Sequence, residues 1–210
     1  MQPSSPTQAP REPVVYVVDD DDSVRESLVW LVESVGRQAL AFRGAQEFLN
    51  AYDPAQPGCL ILDIRMPVIG GLDLQERLRQ LDCPLPIIFI TGHGDVPMSV
   101  RAMKKGAFDF VQKPYNYQDM LDTIEAALRA GAEALERARQ RTEAKERLAT
   151  LTPREHAVLT KLVEGKSSKI IAFELGISAK TVEIYRTNIR EKLATDSVAQ
   201  MVRMVLSTGG

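Results

Sequence analysis

The amino-acid sequence predicts an α/β domain followed by a small all-α domain. Three observations carry this prediction. In the first part of the chain, five short apolar runs alternate with five helical patterns, which indicates a parallel sheet covered by helices on both faces. A long run of helix-forming residues follows, and the last part contains helical patterns only. The expected architecture is a five-stranded, doubly wound parallel sheet of strand order 2-1-3-4-5.

The predicted strands and helices of the first domain follow from its apolar periodicity. The strands cover residues 14–18, 38–42, 59–64, 86–91 and 108–112. Helices are predicted near residues 22–35, 45–52, 72–81 and 97–105, and a fifth begins near Tyr117. Strands such as CLILDI are apolar almost without interruption, which is typical of a sheet that is buried on both sides.

The fifth helix is predicted to continue far beyond the others. Residues 119–148 contain strong helix formers and a single glycine, Gly131. A narrow apolar stripe fades in its second half, and consists of Leu121, Ile124, Leu128, Leu135 and Ala138. We interpret this stretch as an interdomain linker helix. Pairing of two chains through it as a coiled coil is left open.

The second domain shows signals for four short helices. Thr152 is a candidate N-cap, with Pro153 at the first helical position and Glu155 three residues after the cap. The segment SSKIIAFELG ends at Gly176, and Ser178 is the N-cap candidate of SAKTVEIYRTNIREKL. Two helices joined by such a tight turn indicate a helix-turn-helix. The predicted division is a disordered tail over 1–12, an α/β domain over 13–131, a linker over 132–148 and the second domain over 149–210.

Composition and charge limit the classes of function. No apolar run is long enough to cross a bilayer, and the first residues lack the features of a signal peptide, so we expect a cytoplasmic protein without a membrane partner. Two cysteines are too few for a disulfide framework, and Cys59 is expected in the core. Residues 1–131 hold 12 basic and 18 acidic residues, whereas residues 132–210 hold 14 and 10. This asymmetry places any nucleic-acid contact in the second half.

Four consecutive carboxylates, Asp19 to Asp22, directly follow the first predicted strand. Asp63 ends the third strand, which neighbours the first in the expected sheet, so Asp19, Asp20 and Asp63 should converge at its carboxyl edge. Asp21 or Asp22 could cap the first helix, but a solvated turn does not explain an aspartate within an apolar stretch. A divalent cation with oxygen ligands does explain it. We predict Mg²⁺, with Mn²⁺ able to replace it.

Two further polar residues end the remaining strands at this edge. The fourth strand ends in IFITGHG with Thr91, and the fifth ends in FVQKPY with Lys113. Either residue alone means little. Carboxylates, a hydroxyl and an ammonium at the carboxyl ends of strands one, three, four and five form a very specific combination.

With these residues, the segment 14–131 resembles the receiver domain of two-component response regulators. LDIRMP, ITGHGD and KP are similar to the FixJ/NarL family in particular. The resemblance implies that Asp63 accepts a phosphoryl group from a phosphohistidine of a sensor histidine kinase. It also implies that Mg²⁺ is bound by the side chains of Asp20 and Asp63 and by the backbone carbonyl of Arg65, with Asp19 acting through a water.

The resemblance assigns roles to the other strand ends as well. Lys113 would neutralise charge on the phosphoryl oxygens together with the metal, and Thr91 would hydrogen-bond the attached phosphoryl group. Phe110 takes the place of the family's rotameric aromatic residue. A cis peptide bond is expected between Lys113 and Pro114.

Residues 151–206 resemble the LuxR-type helix-turn-helix output domain through LTPRE, SSKIIAFELGIS and KTVEIYRTNIREKL. The second helix of such a unit, here residues 179–193, enters the major groove of double-stranded DNA. Candidates for contacts to base edges are Thr181, Glu183, Ile184, Thr187 and Asn188. Candidates for phosphate contacts are Ser168, Lys169, Lys180, Arg186, Arg190 and Lys192, and Ser178 is a further candidate for DNA contact. Val182, Tyr185 and Ile189 are expected in the core, and whether Glu183 reads cytosine or repels phosphate is left open.

The implied function is a phosphorylation-switched transcription factor, not an enzyme beyond accepting and losing the phosphoryl group. Phosphorylation is expected to join two chains through the fourth helix and fifth strand, with a predicted dimer face of Val96, Val100, Arg101 and Lys104. The dimer would bind an operator and act on RNA polymerase, with activation expected from the resemblance. The alternative is a phosphorylation-independent regulator that dimerises through the linker helix.

One enzymatic function and two other binding functions fit the sequence less well. An aspartyl phosphatase needs a second acid two residues after its nucleophile, where this chain has Arg65. A nucleotide-binding module needs a Gly-rich loop after the first strand. An RNA-binding output domain is disfavoured because the second half is predicted as helix-turn-helix rather than a sheet.

Overall fold

The computed structural model of the protein describes residues 11–92 and 96–208, except the side chains of Val96 and Pro97. Most of the predicted tail lies outside these residues. By its internal contacts the chain divides into two compact units, residues 1–136 and 137–210. The division falls within the predicted linker, and the predicted domain boundaries themselves stay a prediction.

The first unit contains the predicted parallel sheet, and its order β2-β1-β3-β4-β5 confirms the predicted 2-1-3-4-5. The strands are β1 Val14–Val18, β2 Gln38–Phe42, β3 Gly58–Asp63, β4 Ile87–Thr91 and β5 Asp109–Gln112. The first two agree with the predicted bounds, and the others differ by one residue at one or both ends.

Five helices cover the sheet: α1 Asp22–Glu33, α2 Ala45–Ala51, α3 Gly71–Gln80, α4 Val96–Lys104 and α5 Tyr117–Ala149. Alternate residues of the strands enter two separate cores. One core joins Val15, Val17 and Ile61 to α1 and α5. The other joins Tyr16, Leu60 and Phe89 to α2, α3 and α4. Cys59 is fully buried, as expected.

The register of the strands determines which polar residues meet at the carboxyl edge. Val18 pairs with Leu62, so the next residues, Asp19 and Asp63, lie side by side. Thr91 pairs with Gln112, and its carbonyl accepts a hydrogen bond from the Lys113 amide at 2.7 Å. The sheet therefore places all four strand ends around one point, as the alternating pattern predicted.

Gly131 marks a close approach between α5 and the start of β3. A Cβ atom at this position would lie 2.2 Å from the Gly58 carbonyl oxygen and 3.1 Å from Pro86 Cδ. Only a residue without a side chain allows this packing, which explains the single glycine in a stretch of strong helix formers.

The second unit is helical, with α6 Pro153–Val163, α7 Ser168–Leu175, α8 Ala179–Leu193 and α9 Val198–Ser207. Thr152 and Glu155 form the predicted capping box, and Ser178 caps α8. Gly176 ends α7 with a left-handed backbone, which makes the tight turn of the helix-turn-helix. Within the described residues, no helix has the length and apolar character needed to cross a membrane.

The last turns of α5 belong to the second unit. Ala144 is buried, and Leu148 packs against a core that includes Val158, Leu159 and Ile189. The stretch predicted as a linker therefore contributes side chains to the core of the helical unit.

Candidate functional site

Each carboxylate of the acidic run after β1 has a different environment. The Asp19 side chain is buried and accepts hydrogen bonds from the Asp21 amide at 2.9 Å and from Lys113 Nζ at 2.8 Å. Asp21 caps α1 by accepting from the Ser23 amide at 2.8 Å. Asp22 forms an ion pair with Arg25. Among the residues described, Asp20 is the one member of the run whose exposed carboxylate has no hydrogen bond or ion pair.

Lys113 connects the acidic run to Asp63. Its ammonium lies 2.8 Å from Asp19 Oδ2 and 3.0 Å from Asp63 Oδ1. The other carboxylate oxygen of Asp63 accepts a hydrogen bond from the Arg65 amide at 2.7 Å. Asp63 is buried, so its carboxylate is fixed by one charged and one neutral donor at the edge of the sheet.

The electrostatics of this cluster favour a cationic partner. Burial raises the pKa of Asp63 above its usual range, the neighbouring Asp19 adds to this rise, and the hydrogen bond from Lys113 only partly offsets it. Burial lowers the pKa of Lys113, but its hydrogen bonds to Asp19 and Asp63 outweigh that effect, so its pKa is raised overall. Lys113 is therefore an ammonium at neutral pH.

Thr91 and Phe110 lie beside this cluster on β4 and β5. Thr91 is buried at the end of its strand, directly after Ile90, which pairs with Asp63 of β3. Phe110 is half-buried and packs against the core on the α2, α3 and α4 side. The Lys113–Pro114 peptide bond is cis, as expected.

The oxygen atoms of the cluster suit a hard divalent cation. Asp20 offers a carboxylate without a partner, beside two buried carboxylates that share a single ammonium, so negative charge remains in excess. In the described part of the chain, no three His, Cys, Asp or Glu side chains are grouped as metal ligands. The predicted ligand role of the Arg65 carbonyl stays a prediction.

A shallow cavity of about 360 Å³ lies next to the cluster. It is lined by Ser23, Val24 and Ser27 of α1 and by Lys113, Pro114, Tyr115 and Tyr117. The sequence did not reveal this cavity, because its two sides are far apart along the chain.

The second unit presents α8 to solvent along one face. Val182 and Ile189 are fully buried and Tyr185 is half-buried against the core, as expected. None of the twelve candidates for DNA contacts is buried, and Ser168 and Lys192 are half-buried. Of the other ten, the exposed positions are Lys169, Ser178, Lys180, Glu183, Ile184 and Thr187, and the half-buried positions are Thr181, Arg186, Asn188 and Arg190.

Several of these polar side chains already have partners within the unit. Arg186 Nη1 donates to Ser168 Oγ at 2.7 Å, and Ser168 donates to Glu183 Oε1 at 2.6 Å, which joins α7 to α8. Lys192, a phosphate candidate, instead contacts the capping-box carboxylate of Glu155 at 2.6 Å.

Comparison with known proteins agrees with both halves of this geometry. Residues 15–125 match the family model of the response regulator receiver domain, and residues 149–205 match that of bacterial regulatory proteins of the luxR family. The chain belongs to the FixJ/NarL-type response regulators. This response regulator thus combines a receiver domain with a LuxR-type DNA-binding domain.

Named relatives match this response regulator over most of their length. The transcriptional regulatory protein FixJ of Azorhizobium caulinodans is 44% identical over 93% of this chain and 92% of its own length. TdiR, a transcriptional regulatory protein of Thauera aromatica, is 45% identical over 91% of this chain and 85% of its own.

Two solved structures resemble it as well. The response regulator StyR has 45% identity and a TM-score of 0.76, with 93% of this chain and 98% of that chain covered. Full-length FixJ from B. japonicum has 39% identity and a TM-score of 0.57, with 95% and 98% covered.

Three residues of this response regulator escaped prediction. Arg25 is buried beneath the acidic run, although arginines on amphipathic helices usually face water. Arg147 of α5 donates to the Leu193 carbonyl at the end of α8. Phe173 of α7 is 89% exposed, although it lies in the apolar run IIAF.

Proposed function

We propose that a sensor histidine kinase phosphorylates Asp63 and that this phosphorylation controls DNA binding. The observation that carries the proposal is the position of the Asp63 carboxylate, held between Lys113 Nζ and the Arg65 amide at the carboxyl edge of the sheet. Both donors can remain with the carboxylate while it attacks.

In the proposed reaction, an Asp63 oxygen attacks the phosphorus of a phosphohistidine. A P–O bond forms, the P–N bond breaks, and the histidine leaves with the bond's electron pair. Lys113 would balance charge on the phosphoryl oxygens, and the Thr91 hydroxyl would donate to one of them. Asp20, Asp63 and the Arg65 carbonyl would hold Mg²⁺, with Asp19 acting through a water; the bound ion would neutralise charge on the transferred group.

The cavity beside the cluster is the proposed contact for the kinase. Its α1 side offers Val24 between two serines, and its other side offers Tyr115 and Tyr117 directly after Lys113. A kinase segment that presents phosphohistidine in this cavity would approach Asp63 from the side of Lys113, whose ammonium contacts the Asp63 carboxylate.

Phosphorylation would then be communicated through β4 and β5 to the predicted dimer face. Thr91 moving toward the phosphoryl group would leave space for Phe110 to turn inward. Val100, Arg101 and Lys104 of α4 are exposed, whereas the Val96 side chain lies outside the described residues. Pairing of two chains would raise operator affinity through effective concentration, and we expect contact with RNA polymerase and activation of transcription.

The alternative, constitutive pairing through α5, has less support from the packing. Ile124 and Leu128 of the apolar stripe are buried in the first unit, and Ala144 and Leu148 contribute to the second. The apolar residues that a coiled coil would need are therefore largely used within one chain.

Intact mass measured with a small phosphodonor and Mg²⁺ tests the proposal. The wild-type protein should gain one phosphoryl group, and Asp63→Asn should gain none, because an amide is not a nucleophile. Asp53→Asn, which changes an exposed carboxylate paired with Arg11, is the control and should behave as wild type. If Asp63→Asn still gained a phosphoryl group, a residue other than Asp63 would be the acceptor.

A further inference from the structure

Arg25 is a buried arginine directly beneath the acidic run. It lies on the first turn of α1 with 7% of its surface exposed. A buried guanidinium carries five donors and a permanent charge, so it is stable only where acceptors and an opposite charge are fixed around it. Burial of a charged guanidinium costs free energy that an apolar side chain would not, so the groups that Arg25 contacts indicate its role.

The two partners of Arg25 lie at the ends of the acidic run: Asp19 directly follows β1, and Asp22 is the first residue of α1. Nη1 donates a hydrogen bond to the Asp19 main-chain carbonyl at 2.7 Å, and Nη2 pairs with the Asp22 carboxylate. The guanidinium therefore spans the loop and contacts residues on both sides of Asp20.

The rest of the loop is fixed by other contacts. Lys113 holds the side chain of Asp19, and the Ser23 amide holds that of Asp21, the N-cap of α1. Together with Arg25, these contacts fix every residue of the acidic run except the side chain of Asp20. Two cations below and beside the run also offset repulsion among its four carboxylates.

We propose that Arg25 is a positioning residue that holds the Asp19 carbonyl and the Asp22 carboxylate, on either side of Asp20, so that the free carboxylate of Asp20 is directed to the divalent cation. This inference rests on the proposed function, in which Asp20 is a ligand. Outer contacts that orient a ligand typically change metal affinity by about 10–100-fold when removed.

Arg43 provides a matched control. It also approaches Asp22, with Nε 3.6 Å from Oδ1, but its side chain is 78% exposed and it has no contact with the Asp19 carbonyl. Loss of Arg43 removes a nearby positive charge without releasing the loop.

The experiment is calorimetric titration of the full chain with Mg²⁺ alone, without phosphodonor. Arg25→Ala should weaken Mg²⁺ binding by roughly ten-fold or more, Arg25→Lys by less, and Arg43→Ala by at most about two-fold. In phosphorylation by a small phosphodonor, Arg25→Lys should need more Mg²⁺ for half-maximal rate yet reach nearly the wild-type rate at saturation. Arg25→Lys also supplies the result if Arg25→Ala does not fold.

The outcomes separate this inference from the function on which it rests. If wild type binds no Mg²⁺, the proposed metal site itself fails. If wild type binds Mg²⁺ and both Arg25 variants bind it as Arg43→Ala does, Arg25 is structural only and the inference is overturned. A lower saturating rate in Arg25→Lys with an unchanged Mg²⁺ requirement would overturn it too.

Discussion

Arg147 Nη1 donates a hydrogen bond to the main-chain carbonyl of Leu193 across 3.2 Å. Leu193 is the last residue of α8, and Ala194 after it has a left-handed backbone, so this carbonyl lacks a partner within its own helix. An arginine from the last turns of α5 thus caps the helix that is expected to read DNA. A cation at a helix C-terminus also interacts favourably with the helix dipole.

Arg147→Met should destabilise the C-terminal end of α8 by about 1 kcal/mol, because the carbonyl loses its donor while the apolar stem is kept. Hydrogen exchange of the α8 amides measures this directly. Lys145→Met, an exposed residue on the same helix, is the control. Equal protection of α8 in both variants would show that the contact adds no stability.

Lys113→Met should slow phosphorylation by a small phosphodonor by roughly 100-fold, because the ammonium that balances charge on the phosphoryl oxygens is lost. The rate of gain in intact mass at saturating Mg²⁺ is the measurement. Lys105→Met removes a surface ammonium 3.0 Å from Glu76 and should leave the rate unchanged. If the rate of Lys113→Met were within a few-fold of the wild-type rate, the Lys113 ammonium would not be required for phosphorylation.

Arg101→Glu should prevent dimerisation on phosphorylation without affecting phosphorylation itself, because it reverses a charge on the exposed face of α4. Light scattering with and without phosphodonor, at matched salt, gives the mass of each species. Arg129→Glu makes the same change at an exposed site on α5. If wild type is equally dimeric in both states, constitutive pairing replaces the proposed switch.

The helical unit should lose stability in acid through Glu155. Its hydrogen bond from Lys192 lowers the pKa of Glu155 to about 2, against the opposing effect of burial. A lowered pKa in the folded state stabilises the fold above the unfolded pKa, and this contribution is lost as the pH falls from about 4.5 toward about 2.

Hydrogen exchange in α6 and α8 at pH 6 and pH 3 follows this loss. Glu155→Gln should reduce the difference between the two pH values, whereas Glu191→Gln, an exposed carboxylate, should not. An unchanged pH dependence in Glu155→Gln would assign the acid sensitivity to another group.

The convergence of Asp19, Asp63, Thr91 and Lys113 could be predicted because carboxyl ends of parallel strands share one edge of a sheet. The bounds of β1 and β2 were predictable because charged or turn-forming residues follow Val18 and Phe42 directly. β3 instead begins at Gly58, since its pairing with Val14 is set by the neighbouring strand rather than by its own apolar run.

The contacts of three arginines could not be predicted, for a common physical reason. Arg25, Arg147 and Arg186 lie on amphipathic helices, where a long cationic side chain in water gives the same sequence pattern as one that binds a carbonyl or hydroxyl. Which of the two occurs depends on acceptors brought near by folding, such as the carbonyl of Asp19 or of Leu193.

The close approach at Gly131 has a genetic consequence. Every missense change there adds a Cβ atom, and the Gly58 carbonyl oxygen would lie 2.2 Å from it. We therefore expect every substitution at this position to be harmful, even though the surrounding sequence is typical of a helix that tolerates substitution. In a saturation mutagenesis screen for target-gene expression, all substitutions of Gly131 should be depleted, including alanine, while exposed Ala132 beside it accepts most polar residues. Natural variants of this helix should therefore differ at its exposed positions but retain glycine at position 131.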